Sequence, residues 1–181
     1  MTFIKVYIME HKKIYLLFTK FPDNGSKIIT FLKGCPYPHA SIGFEEDLDK
    51  FYSFVNKGFI VESISRYIKP EREPFPCRLY ELKVPEHIYY RIQNIINYFV
   101  EFKNIVHYSK SGVLLSLLHI PYKRNRFGFF CSQFVAYVLE QSGAIKLERQ
   151  SQYYFSNDLA NLPGVKLKFQ GNLVTMKSCF G

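Results

Sequence analysis

The chain has 181 residues, 48% of them hydrophobic and 22% charged, a balance that suits one globular domain with a sizeable core. Its 18 Phe and 14 Tyr are too much ring surface for a disordered or merely solvating polymer. The formal charge of +9 is concentrated late in the chain: residues 1–102 hold 14 Lys and Arg against 12 acids, and residues 103–181 hold 10 against 3.

In chain order, residues 5–9 and 14–18 read as short strands joined near His11 and Lys12. Turn residues at 22–25 lead into a short amphipathic segment over 26–32. After a break at 34–38, His39-Ala40-Ser41-Ile42-Gly43-Phe44 alternates with period 2, predicting a half-buried strand with His39, Ser41 and Gly43 on one face. An acidic turn at 45–49 follows, then strands over 51–55, 58–64 and 79–84, the last stopped by Pro85. Ile88, Ile92, Ile95, Ile96, Phe99 and Phe102 recur at helical spacing and predict a helix over 86–104. A second helix is expected over 132–141, with Cys131 at its N-terminal end and Ser142-Gly143 at its stop. Residues 165–169 and 173–176 read as strands. The pattern is α+β, an antiparallel sheet or barrel with helices gathered to one side, in a single domain over 1–181.

Apolar runs such as 112–120 fall short of the roughly 20 residues that a spanning helix needs. The start Met1-Thr2-Phe3-Ile4-Lys5 does not read as a secretory signal. Cys35, Cys77, Cys131 and Cys179 show neither CxxC spacing nor flanking ligand-type histidines, so no disulfide framework, zinc site or other cofactor is expected, and a reducing, cytoplasmic setting fits. The basic excess reads mainly as a solubility feature, with an anionic surface or polymer as the alternative partner it could steer, and no nucleic-acid motif accompanies it. Oligomeric state is left open.

The segment Phe130-Cys131-Ser132-Gln133-Phe134-Val135 carries the chemistry. A cysteine opening a helix meets the positive end of the helix dipole and free backbone N–H groups, which favour a thiolate and can hold an oxyanion. A thiolate nucleophile also needs a base that later protonates the leaving group, and His39 is the leading candidate. Together the PHASIGF strand, the following Phe51-Tyr52-Ser53-Phe54 and the FCSQFVAYVLE helix resemble the circularly permuted branch of the NlpC-type, papain-like cysteine peptidase superfamily, over residues 14–159. That resemblance implies a permuted papain-like fold and a thiol hydrolase, an amidase or peptidase, with lipid acyltransferase relatives of the lecithin retinol acyltransferase type. It implies a small peptide-like or lipid substrate. It makes Cys131 the nucleophile and His39 the base, places the residue that orients His39 near Ser53 with Glu62 as the alternative, and puts Tyr108 on the oxyanion side. The competing expectation is a binding module that keeps the cleft with little turnover.

Overall fold

The computed structural model describes residues 10–22, 24–71, 73–123 and 125–180. In chain order they form β1 (His11–Thr19), α1 (Asn24–Lys33), β2 (His39–Phe44), β3 (Asp47–Val55), β4 (Gly58–Ser63), α2 (Ile64–Tyr67), β5 (Pro76–Pro85) and α3 (Glu86–Glu101). Then come β6 (His107–Tyr108), α4 (Lys110–Leu117), β7 (Gly128–Phe129), α5 (Cys131–Gln141), a 3-10 turn (Ser151–Tyr153), α6 (Ser156–Ala160), β8 (Lys166–Asn172) and α7 (Leu173–Phe180). Six strands make one antiparallel sheet in the order β4-β3-β2-β1-β5-β8, and β6 pairs with β7 in a separate two-stranded parallel ribbon. The class is α+β, an antiparallel sheet packed against helices. Among the described residues no helix is long and apolar enough to cross a membrane.

Both faces of the sheet are covered, which is why its central strands read as nearly continuous apolar runs. Ile14, Leu16 and Phe18 of β1 point into the larger core with Ala40, Ile42, Phe54 and Phe59, beneath α3 and α5. Tyr15 and Leu17 point the other way, into a second core with Phe51, Cys77 and Leu79 that is closed by Ile64 of α2 and Leu173 and Met176 of α7. All six residues of β2 are buried, so the half-exposed strand expected from its alternation is instead a central one. Its polar alternate positions face the second core rather than water.

Several expected boundaries differ. Residues 5–9 lie outside the described residues. His11 and Lys12 belong to β1 itself, and β3 begins inside the expected acidic turn. The strand expected over 173–176 is the start of α7, where Asn172 caps the helix by accepting a hydrogen bond at Oδ1 from Thr175 N at 2.9 Å. Helix α4 has no counterpart in the sequence reading. Its first turn is closed by the Ser109 hydroxyl, which accepts from Gly112 N at 3.1 Å.

The second face is packed tightly around β2. A Cβ placed on Gly43 would lie 2.8 Å from two ring carbons of Phe51, which opposes it in the β2–β3 ladder. Only a residue without a side chain lets that ring lie across the strand. Gly43→Ala is therefore expected to destabilise the fold by about 1–3 kcal/mol in chemical denaturation, and Phe51→Leu in the same chain to recover part of the loss.

Candidate functional site

Strand alternation and register put the polar residues of the second face together. Gly43 opposes Phe51, and Phe51 opposes Glu62, so His39, Ser41 and Gly43 of β2 share a face with Phe51 and Ser53 of β3 and Glu62 of β4. His39, Ser41, Ser53 and Glu62 are all buried there. A buried ionisable group without a partner is costly, and this face resolves the cost by pairing. Nε2 of His39 lies 2.6 Å from Oε1 of Glu62, a contact that bridges β2 and β4 across β3.

Ser53 is placed differently from the first expectation. Its hydroxyl donates to the carbonyl of Ala40 at 2.6 Å, while the neighbouring Ser41 hydroxyl donates to Leu17 O at 3.4 Å. Both serines satisfy backbone carbonyls within the sheet, and the short Ser53 side chain is thereby committed to β2 itself rather than to the imidazole. The longer carboxylate side chain of Glu62 is the one that reaches His39.

Cys131 is the first residue of α5, and its thiol donates to the carbonyl of Pro38, the residue before His39, at 3.7 Å. The residue ahead of the helix is Phe130, whose side chain has no acceptor for the first-turn amides. Gln133 instead turns back, its Oε1 accepting from Phe130 N at 3.3 Å. The start of α5 thus has an uncapped amide turn at the thiol. Tyr108 is in β6, opposite Phe129 of β7 and so two residues from Cys131, half-buried between the larger core and a third small core of Ile29, Cys35, Leu117, Phe130 and Phe155.

Burial by itself would push the His39 imidazole down. The Glu62 carboxylate and the adjacent Cys131 together outweigh this and raise the imidazole to about 10. Cys35 and Cys77 are pushed up by burial, Cys77 to about 12, which keeps both as thiols. All four cysteines are free, and among the described residues no three His, Cys, Asp or Glu side chains gather as a metal site.

Two aromatic neighbours of the pair were not anticipated. The Phe21 ring packs on His39 at a centroid distance of 5.0 Å, and Tyr67 packs on Phe21 at 5.2 Å. Tyr67 is raised to about 12 by burial and by the charge of Glu62. The signal for Phe21 was its place just after β1, whose Thr19 opposes His39 in the ladder. Compared with known proteins, the chain matches no protein-family model and no curated protein.

A histidine raised in the folded state stabilises the fold fully below its unfolded pKa near 6.5, and that contribution is lost as pH climbs through the folded value of about 10. The stability difference between the parent chain and Glu62→Gln is accordingly expected to be largest below about pH 6.5 and to shrink toward about pH 10. Denaturation across that range, with the His39 ring followed by NMR, checks it. A His39 ring that titrates near 6.5 in the parent chain would contradict the pairing.

Proposed function

We propose that the chain is a cysteine-dependent hydrolase or acyltransferase with a permuted papain-like arrangement, in which Cys131 is the nucleophile, His39 the base and Glu62 the residue that orients and charges His39. The observation that carries this reading is the buried His39–Glu62 contact of 2.6 Å immediately beside a cysteine that opens a helix. A structural histidine needs no carboxylate, and a packing cysteine needs no uncapped amides. Their coincidence at one end of β2 is the arrangement that thiol acyl transfer requires.

The chemistry follows from the atoms. With Nε2 held by Glu62, Nδ1 is the nitrogen left for the thiol, and the carboxylate raises the proton affinity that a base must have. A modest rotation takes Sγ off the Pro38 carbonyl toward the imidazole. Near neutral pH His39 is already an imidazolium beside Glu62, so the reactive sulfur is a thiolate whose proton has gone to solvent; Sγ attacks the carbonyl carbon of an amide or ester, and the oxygen of that carbonyl gains charge facing the first amides of α5. Collapse breaks the C–N or C–O bond, His39 gives its proton to the departing amine or alcohol and, now neutral, is the base for the water or other acceptor that releases the thioester from Cys131. Within this reading Ser53 is a structural residue, and Tyr108 keeps its place on the oxyanion side.

The test uses reactivity, since it requires no known substrate. Cys131 is expected to react with iodoacetamide at neutral pH at least about tenfold faster than a free thiol, to lose that advantage in His39→Ala, and to lose most of it in Glu62→Gln. Ser53→Ala should keep the fast reaction while lowering stability by about 1–3 kcal/mol, because the Ala40 carbonyl is left buried without its donor. A slow Cys131 in the parent chain favours a binding module that keeps the cleft without turnover.

A further inference from the structure

One surface of the molecule is neither core nor candidate site. Helices α1 and α4 lie side by side, and the end of α1 is tied to the turn after α4 by Lys33 Nζ and His119 Nε2 at 2.8 Å. His119 holds that turn with a left-handed backbone, φ 54°. Outward from this junction project Phe31, 87% exposed, and Leu32 on α1, with Leu114 and Leu118 on α4 at 55% and 56%. Ile120 follows at the turn. Lys110, Leu114 and Leu118 recur every fourth residue and so make one stripe along α4.

The two chain segments that build this surface hold lysines and no acids, and the nearby Asp158, beside the Asn157 that bonds Gly34 O, is paired with Arg149. No acidic residue occurs between Asp23 and Glu45, nor between Glu101 and Glu140, the two stretches from which the surface is built, whereas Lys110 is exposed on the second of them. Apolar side chains that project from segments carrying lysines and no acids are the composition of an interfacial membrane-binding surface. A protein partner that used Phe31 as an anchor would seat it in a pocket of matched shape. A fluid bilayer instead accepts projecting rings and leucines wherever they fall, and its anionic headgroups meet the lysines.

From this combination we propose that the α1–α4 face docks on anionic lipid bilayers, with Phe31, Leu114 and Leu118 entering the headgroup boundary and Lys33 and Lys110 meeting the lipid phosphates. The surface rests on the third small core, where Ile29 and Leu117 pack with Phe130 and Phe155, so the inserted side chains are backed by a packed layer. The docking does not depend on Cys131 being active.

The chain has no tryptophan, so Phe31→Trp places a single indole at the tip of the face without disturbing a buried contact. Vesicles of phosphatidylcholine with about one third phosphatidylglycerol, in about 0.1 M NaCl, are expected to shift its emission to the blue. Brominated acyl chains should quench it, and pure phosphatidylcholine should have a much weaker effect. Leu118→Ser in the same background should lower partitioning about tenfold, and salt near 0.5 M should weaken it further. Tyr98→Trp, on α3, should stay solvent-like throughout. Four results would each overturn the proposal: no shift with anionic vesicles, equal quenching at position 98, a blue shift without lipid that grows with protein concentration, or retention on RNA with no quenching by lipid. The third would indicate a second copy as the occupant, and the fourth a nucleic acid.

Discussion

A sheet buried on both faces can carry ionisable groups only if they meet, and the His39–Glu62 contact is where this protein satisfies that condition. Removing a carboxylate and an imidazolium from water costs several kcal/mol for each ion, and the mutual attraction offsets this only at close, well-oriented range. The 2.6 Å separation meets that requirement. It also constrains three strands at once, because His39 and Glu62 come from β2 and β4 while Phe51 and Ser53 of β3 pack between them. The glycine at position 43, the Phe51 ring lying across it and the Ser53 hydroxyl on Ala40 belong to the same requirement. Each fills or satisfies the same buried face of the sheet as the pair.

The opposite face explains the aromatic richness of the chain. Phe54 of β3 and Phe59 of β4 pack against Phe134 of α5 at centroid distances of 5.3 and 5.6 Å, and Phe99 of α3 packs on Phe134 at 5.0 Å. Phe129, just ahead of α5, packs on Phe54 at 5.4 Å. Tilted and edge-on pairs of this kind contribute about 0.5–1.5 kcal/mol each beyond their burial. They also fix direction, since planar rings tolerate few relative poses. The strand that carries Glu62 and the helix that begins with Cys131 thus pack on each other through Phe59 and Phe134.

What could be read in the sequence follows the strength of local periodicity. The segments 39–44, 51–55 and 58–63 show their strands because alternation survives burial, and the isoleucine spacing of α3 shows a helix. Glu62 stood second to Ser53 because Ser53 lies on the strand next to His39, where the resemblance put the orienting residue, and Glu62 lies one strand further. Which of them reaches the imidazole depends on side-chain length and on a hydroxyl already committed to Ala40, and neither is a property of spacing. Helix α4 was invisible for a related reason: Val113, Leu114, Leu115, Leu117 and Leu118 run nearly all the way around it, so no apolar stripe stands out. Only the Ser109 cap marked its start. Val174 and Thr175 favoured a strand over 173–176 by propensity, and the Asn172 cap together with packing of Leu173 and Met176 on the second core overrode it.

The missing period in α4 is itself informative about how the molecule is divided. A helix with apolar residues on most sides must either be buried all round or present one side to something other than water. Leu117 and Gly112 of α4 are buried, while Leu114 and Leu118 are exposed, so the helix has an inner contact and an outer one. Its inner contact, Leu117, belongs to the small core that also seats Phe130, the residue before Cys131. The His39–Glu62 pair sits instead against the second core, on the opposite side of the sheet from the aromatic cluster. The helix that begins with Cys131 and the His39–Glu62 pair thus rest on different cores.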